Sequence, residues 1–208
     1  MSDSQQAELT SDDADARPAE SANQSRVPYL PGDGAMWFFV LGDMIIFGSY
    51  FIAFMIFRAR ETSAFNAAQH DLYLDVGVAN TLLLLFSSWL AARAVLAARD
   101  DDCERTTRLL AGTGACGAVF IVLKLLEWWL EFSAGHTFPS SSFMSFYFVL
   151  TGVHMLHVIM GLVILTVITI HIRANADRRA QVVEQGTTYW HMVDLLWVII
   201  FALLYVLR

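Results

Sequence analysis

The sequence predicts an all-α, polytopic membrane protein with five transmembrane helices, its N-terminus inside and its C-terminus outside. Three observations predict it. Hydrophobic residues make up 56% of the 208-residue chain and charged residues 16%, the balance of the membrane class. Five apolar runs are long enough to cross a hydrocarbon core about 30 Å thick. Arginine, finally, is shared unevenly between the segments that join those runs.

The runs cover residues 35–57, 76–98, 109–130, 143–170 and 189–207. The first follows Pro31, ends at Arg58 and Arg60, and carries Asp43 in its interior. The second has a weak polar stripe, Asn80 and Ser87, and stops at Arg99. The third carries Lys124 and Glu127, and its small residues Ala111, Gly114, Ala115 and Ala118 are spaced for close helix contact. The fourth is the longest and is expected to tilt or project beyond the bilayer. Its Thr151, His154, His157 and Gly161 form one polar-and-small stripe. The fifth opens with Tyr189 and Trp190 and carries His191 and Asp194. Between the spans lie the polar connections RARETSAFNAAQHD, RDDDCERTTR, SAGHTFPSS and IRANADRRAQVVEQGT.

Residues 1–32 read as a disordered acidic cytoplasmic tail, and residues 33–208 as the membrane domain. Six acids (Asp3, Glu8, Asp12, Asp13, Asp15, Glu20) lie in the tail and account for most of the formal charge of −7. The tail has no apolar periodicity and is rich in Ser, Ala and Asp. It also lacks the basic region followed by an apolar run that marks a cleaved signal peptide. With the N-terminus inside, the inner segments hold Arg17, Arg26, Arg93, Arg99, Arg105, Arg108, Arg173, Arg178 and Arg179. The outer ones hold Arg58, Arg60 and Arg208. That asymmetry sets the direction.

Composition excludes several functions. Two cysteines, Cys103 in a charged loop and Cys116 in an apolar span, offer neither a disulfide framework nor a CxxC metal site. There is no Gly-rich phosphate loop and no basic patch for nucleic acid. A soluble enzyme is excluded.

The polar interior is where function is expected. A charge in mid-bilayer costs roughly 2.5–3.5 kcal/mol on insertion scales. Four clusters (Asp43; Lys124 with Glu127; His154 with His157; His191 with Asp194) would together cost on the order of 10 kcal/mol unless they met one another, a lipid head group or a partner. At ~1.5 Å per residue they fall into an inner group, Asp43, His191 and Asp194, and an outer group, Lys124, Glu127, His154 and His157. The plain reading is interhelical pairing. A metal site built on the histidines and Glu127 is disfavoured by the neighbouring Lys124. A bis-histidine haem is disfavoured by the mismatch in depth between His154 or His157 and His191. Proton relay through Asp43 is the sharper alternative, since intramembrane carboxylates are relay candidates. Two layers separated by apolar helix, however, make no continuous wire. No catalytic, cofactor-binding or metal-ligating residue is expected.

Four segments are specific enough to name. FYFVLTGVHMLHVIMG resembles the stretch of haem–copper oxidase subunit III that carries a Thr-Gly, two histidines three apart, and a Gly. YWHMVDLLWVIIFALLYVLR is similar to that family's last helix. WFFVLGDMIIFGSYFIAF matches the helix bearing a buried Glu, here Asp43, and FIVLKLLEWW the helix bearing Gln-x-x-Glu-Tyr, here Lys124, Glu127 and Trp128. All four occur in the family's order, from about residue 33 to the C-terminus.

The resemblance implies a five-helix bacterial subunit III with no redox centre or cofactor of its own, resident in the inner (plasma) membrane. It also implies bound phospholipid and a partner catalytic haem–copper subunit with its cytochrome c-type or copper-bearing companion. Asp43 would border the lipid cleft, and Lys124, Glu127, His154, His157, His191 and Asp194 would be interior pairing groups. Asp for Glu at 43, Lys for Gln at 124, and the SSSF before the fourth helix look most like the nitric oxide reductase accessory branch. Subunit III of an aerobic cytochrome c oxidase is the alternative, and a stand-alone proton-coupled carrier the alternative of another class.

Overall fold

A computed structural model describes residues 34–70, 74–133, 135, 141–174 and 179–207. The acidic tail, 1–32, lies outside them. The described residues form six α-helices and no strand: α1 (Gly34–Arg60), α2 (Thr62–His70), α3 (Leu74–Arg99), α4 (Cys103–Ser133), α5 (Ser142–Ala174) and α6 (Arg179–Phe201). The last continues into a π-helical turn, Ala202–Val206. Five helices are long and apolar enough to cross a membrane: Val40–Arg60, Leu74–Arg99, Cys103–Ser133, Ser142–Ala174 and Arg179–Val206. The protein is therefore an all-helical, multi-pass membrane bundle. In lipid every backbone N–H and C=O must be satisfied within the segment, which leaves the helix as the conformation these runs can adopt.

Helix starts follow from local chemistry. Asp102 accepts a bond from the Arg105 amide at 2.9 Å and begins α4; Ser141 accepts one from the Met144 amide at 3.1 Å and begins α5. Before α4 the chain turns at Asp101, whose φ is 57°, a left-handed conformation that Asp tolerates better than most residues.

Two segments differ from the sequence expectation. Residues 62–70 form α2 rather than open loop, because Phe65 is buried edge-on against Phe54 and Phe143. More consequentially, α6 begins at Arg179, ten residues before the expected start at 189. Its first turns are too polar for a hydropathy reading, yet Val183, Gly186 and Thr187 are buried. A Cβ at 186 would displace the terminal methyl of Ile168 of α5, which packs over this glycine.

Consecutive spans run in opposite directions. Ser87 of α3 bonds the Thr113 carbonyl of α4, and Trp128 of α4 bonds Thr151 of α5 at 3.2 Å. α6 is central, with Trp190 as its keystone. The indole is fully buried, donates to Ser87 Oγ at 2.9 Å, and lies between Gly117 of α4 and Gly161 of α5. The stripe expected to give close contact, Ala111, Gly114, Ala115 and Ala118, instead lines an open groove of about 510 Å³ between α4 and α5. Gly117, on the neighbouring face, makes the close approach.

At the far end of the bundle α1 and α2 hold the terminus of α6. Arg58 donates to the Leu207 carbonyl, and Gln69 Nε2 donates to the carbonyls of Leu203 (3.2 Å) and Leu204 (3.1 Å). The π-turn is thereby capped from outside its own helix. Gln69→Ala is expected to lower stability by about 1–3 kcal/mol, since it leaves carbonyls without their donor. Amide exchange should rise at 202–207 in particular; a uniform or absent change would show that Gln69 is not the cap.

Candidate functional site

Three polar centres occupy the interior. The first is built on the buried stripe of α4 that carries Phe120, Lys124, Glu127 and Glu131. Lys124 Nζ donates to Glu127 Oε2 at 3.2 Å, to the Tyr147 hydroxyl at 3.1 Å and to the Tyr205 hydroxyl at 2.9 Å. Both phenols in turn donate to Glu127 Oε1, Tyr147 at 2.8 Å and Tyr205 over a shorter contact. All three ammonium protons and both carboxylate oxygens are thus used in a loop joining α4, α5 and the π-turn. The ammonium also lies over the rings of Tyr147 (4.6 Å), Trp197 (5.2 Å) and Tyr205 (5.4 Å), a placement that cation–π attraction favours in a desolvated site.

His154 stays beside this loop. It is fully buried, edge-on to Phe120 (5.7 Å) and against Trp197 (5.1 Å), and neither ring nitrogen has a hydrogen-bond partner.

The second centre joins α1 to α5. His157 Nε2 is 3.3 Å from Asp43 Oδ2, and its Nδ1 is 2.8 Å from the Val153 carbonyl. A carbonyl only accepts, so Nδ1 carries a proton. The Nε2–Oδ2 contact is an ion pair when the ring is protonated on both nitrogens. Phe47 closes one side at 5.4 Å. This pair ties α1 to α5, and both side chains keep some exposure, 15% and 23%.

The third centre lies between α3 and α6. His191 Nδ1 is 2.7 Å from Ser88 Oγ, and Ser88 also stands beside the Asp194 carboxyl. Asp194 is only 4% exposed, and neither of its oxygens is matched to a donor of good geometry.

The expected layers are therefore redrawn. Lys124 and Glu127 come together, but His154 and His157 part, one turned to α4 and α6 and the other to α1. Asp43 does not join His191 and Asp194; it meets His157. The reason is the length of the helices. With α6 starting at Arg179 and α5 running to Ala174, distances counted from the apolar boundaries misplace α5 and α6 relative to α1. Tyr147 and Tyr205 escape the sequence reading because a tyrosine inside an apolar run reads as apolar. Tyr147 was recoverable, being one turn before Thr151 on the same stripe; Tyr205 depends on the π-turn. Among the described residues no three His, Cys, Asp or Glu side chains are grouped to hold a metal ion.

Five membrane helices, three of their segments joined by a buried Lys–Glu–Tyr–Tyr loop, define a polytopic membrane protein. The chain belongs to the cytochrome c oxidase subunit III family, whose model matches residues 33–208. It is similar to "Cytochrome c oxidase subunit 3" of Bacillus sp. (strain PS3), 30% identical over 82% of this chain and 83% of that protein. The protein of the same description from Thermostichus vulcanus is 29% identical over 81% and 84%. "Heme-copper oxidase subunit I+III" of Aeropyrum pernix is 29% identical over 82% of this chain, which spans 22% of that protein's length.

Proposed function

We propose that this chain is a non-catalytic, subunit III-type protein that supports a haem–copper respiratory complex in a bacterial plasma membrane. Its partner is the catalytic haem–copper subunit with its cytochrome c-type or copper-bearing companion, and its task is assembly, stability or proton uptake rather than electron transfer. The observation that carries this reading is the closed loop of Lys124, Glu127, Tyr147 and Tyr205. The most deeply buried charges of the bundle are spent on one another, as a scaffold requires. Asp43, paired with His157 and partly exposed, is the group suited to hold a proton or to face a phospholipid head group. Phospholipid is expected along α1, whose Phe38, Ile45 and Ile52 are exposed.

The chain's own variants, Asp43, Lys124 and the SSSF at 140–143, which runs into the start of α5, favour nitric oxide reductase as the complex served. The names of the relatives, which are subunits of cytochrome c oxidases and in one case of a cytochrome bo(3) ubiquinol oxidase, support an aerobic oxidase as the second reading. Deletion of the gene discriminates. Under the first reading NO consumption falls several-fold, O₂ consumption is kept, and the haem content of the catalytic subunit is unchanged. Loss confined to O₂ consumption transfers the assignment to the oxidase. If both rates are unchanged and the purified chain alone moves protons across liposomes, the protein is a carrier and the proposal fails.

Orientation follows the arginine asymmetry, with the N-terminus cytoplasmic and the C-terminus periplasmic. A C-terminal alkaline phosphatase fusion should be active and a C-terminal green fluorescent protein fusion dark; the reverse pattern would invert the topology.

A further inference from the structure

α6 has one side that the bundle leaves open. α1 packs on α5 and α6, and α3 on α4 and α6. The α6 residues turned to those neighbours are buried: Trp190 and Trp197 bond to α3, while Tyr189, Met192 and Leu196 lie on the opposite side. Between the two buried faces runs the stripe His191, Leu195, Val198 and Ala202, none of it buried and Leu195 52% exposed. On α3 it is continued by Leu85, which is 50% exposed, and by half-buried Ser88.

In a soluble protein such a stripe would be unremarkable. Here it lies midway along a membrane helix, His191 being twelve residues from Arg179 and fifteen from Val206. Lipid tails cannot satisfy an imidazole, and an intramembrane ionisable side chain faces protein or water rather than acyl chains. Asp194 behind it adds to the demand: it is more than nine-tenths buried, its oxygens have no donor of good geometry, and the one hydroxyl beside it, Ser88, is shared with His191.

We propose that this α3–α6 seam, centred on His191, is the surface on which the catalytic haem–copper subunit docks. It does so through a transmembrane helix that places a hydroxyl or carboxamide side chain opposite His191. The inference rests on the function proposed above, and the fused relative "Heme-copper oxidase subunit I+III" supports a membrane-embedded subunit I as the occupant. The chemistry of the partner group follows from Ser88. Its single hydroxyl proton serves either His191 Nδ1 or Asp194. In the first case Nε2 carries the ring proton and donates outward; in the second Nδ1 donates to Ser88 Oγ, and a neutral ring offers Nε2 as an acceptor. Only a group that both donates and accepts satisfies the seam in either state.

The test uses the full chain in its native membrane. p-Benzoylphenylalanine is placed at Leu195 on the seam and, separately, at Val122, 56% exposed on α4. After irradiation and affinity purification, the Leu195 probe should be joined to the catalytic subunit and the Val122 probe to lipid. A Leu195 adduct with lipid or with a second copy of the chain overturns the proposal, as does an adduct with the catalytic subunit from Val122 alone. Purification of the unirradiated chain without any haem–copper polypeptide would refute the proposed function itself, so the two failures are distinguishable. As a second measurement, His191→Phe should speed dissociation of the complex about tenfold while the variant keeps its yield and helicity; dissociation at the unmodified rate would exclude His191 as the docking contact.

Discussion

Replacing Glu127 by Gln is expected to cost this protein about 3–5 kcal/mol of stability, the penalty for breaking a buried ion pair on one side. Lys124 is fully enclosed, so its ammonium would be left with two neutral phenols and, for counter-charge, only Glu131 one turn further along α4. Gln also offers a single neutral acceptor oxygen and an NH2 group, so it cannot serve both phenols and the ammonium as the carboxylate does. Replacing Lys124 by Gln as well removes the stranded cation, and the double variant should be more stable than Glu127→Gln alone. Thermal unfolding of the four proteins in one detergent gives the coupling directly. A shortfall from additivity above about 0.5 kcal/mol is the signature of a shared network, and strictly additive losses would mean that Lys124 and Glu127 do not act as a pair.

The second large effect is steric. A Cβ on Gly117 would lie 2.5 Å from Trp190 Cη2, and one on Gly161 2.8 Å from Cε3. The indole is also fixed by its bond to Ser87, so it cannot retreat from either side. Gly117→Ala and Gly161→Ala should each destabilise by about 1–3 kcal/mol, the usual range for overpacking, and valine at either position should do worse. Trp190→Phe shortens the ring system and should recover part of the loss in combination with either alanine. If Gly117→Ala were as stable as the parent, α4 and α6 would have to be able to separate, and the keystone role of Trp190 would be lost.

How far the sequence could be read depended on which force shaped each part. The five spans were legible because lipid imposes length and hydropathy directly; the first four expected spans fall inside helices observed at α1, α3, α4 and α5. The start of α6 was not, because residues 179–188 are held by protein contacts rather than by lipid. Depth assignments inherited that error, which is why Asp43 was expected beside His191 and is found on His157. Paired spacing predicted a common face well for Lys124 and Glu127, three apart on one buried stripe. It failed for His154 and His157, because the i and i+3 directions differ by about 60°, enough for two residues at a three-helix junction to meet different neighbours. Gly117 and Gly161 gave no signal as a pair, since they lie on different helices and are joined only by the tryptophan between them.

The π-turn at the end of α6 has a consequence for how this protein tolerates change in length. Ordinary helical winding through 202–206 would advance each residue by about 100°, and the wider turn absorbs one additional residue before Tyr205 points at Lys124. Removing one residue from 202–204 would restore regular winding and keep the phenol's direction, whereas adding one more would swing it round the helix axis, away from the ammonium. A segment that looks like a dispensable hydrophobic tail is thus metered to the residue, and insertions there should act like point mutations in the middle of the bundle.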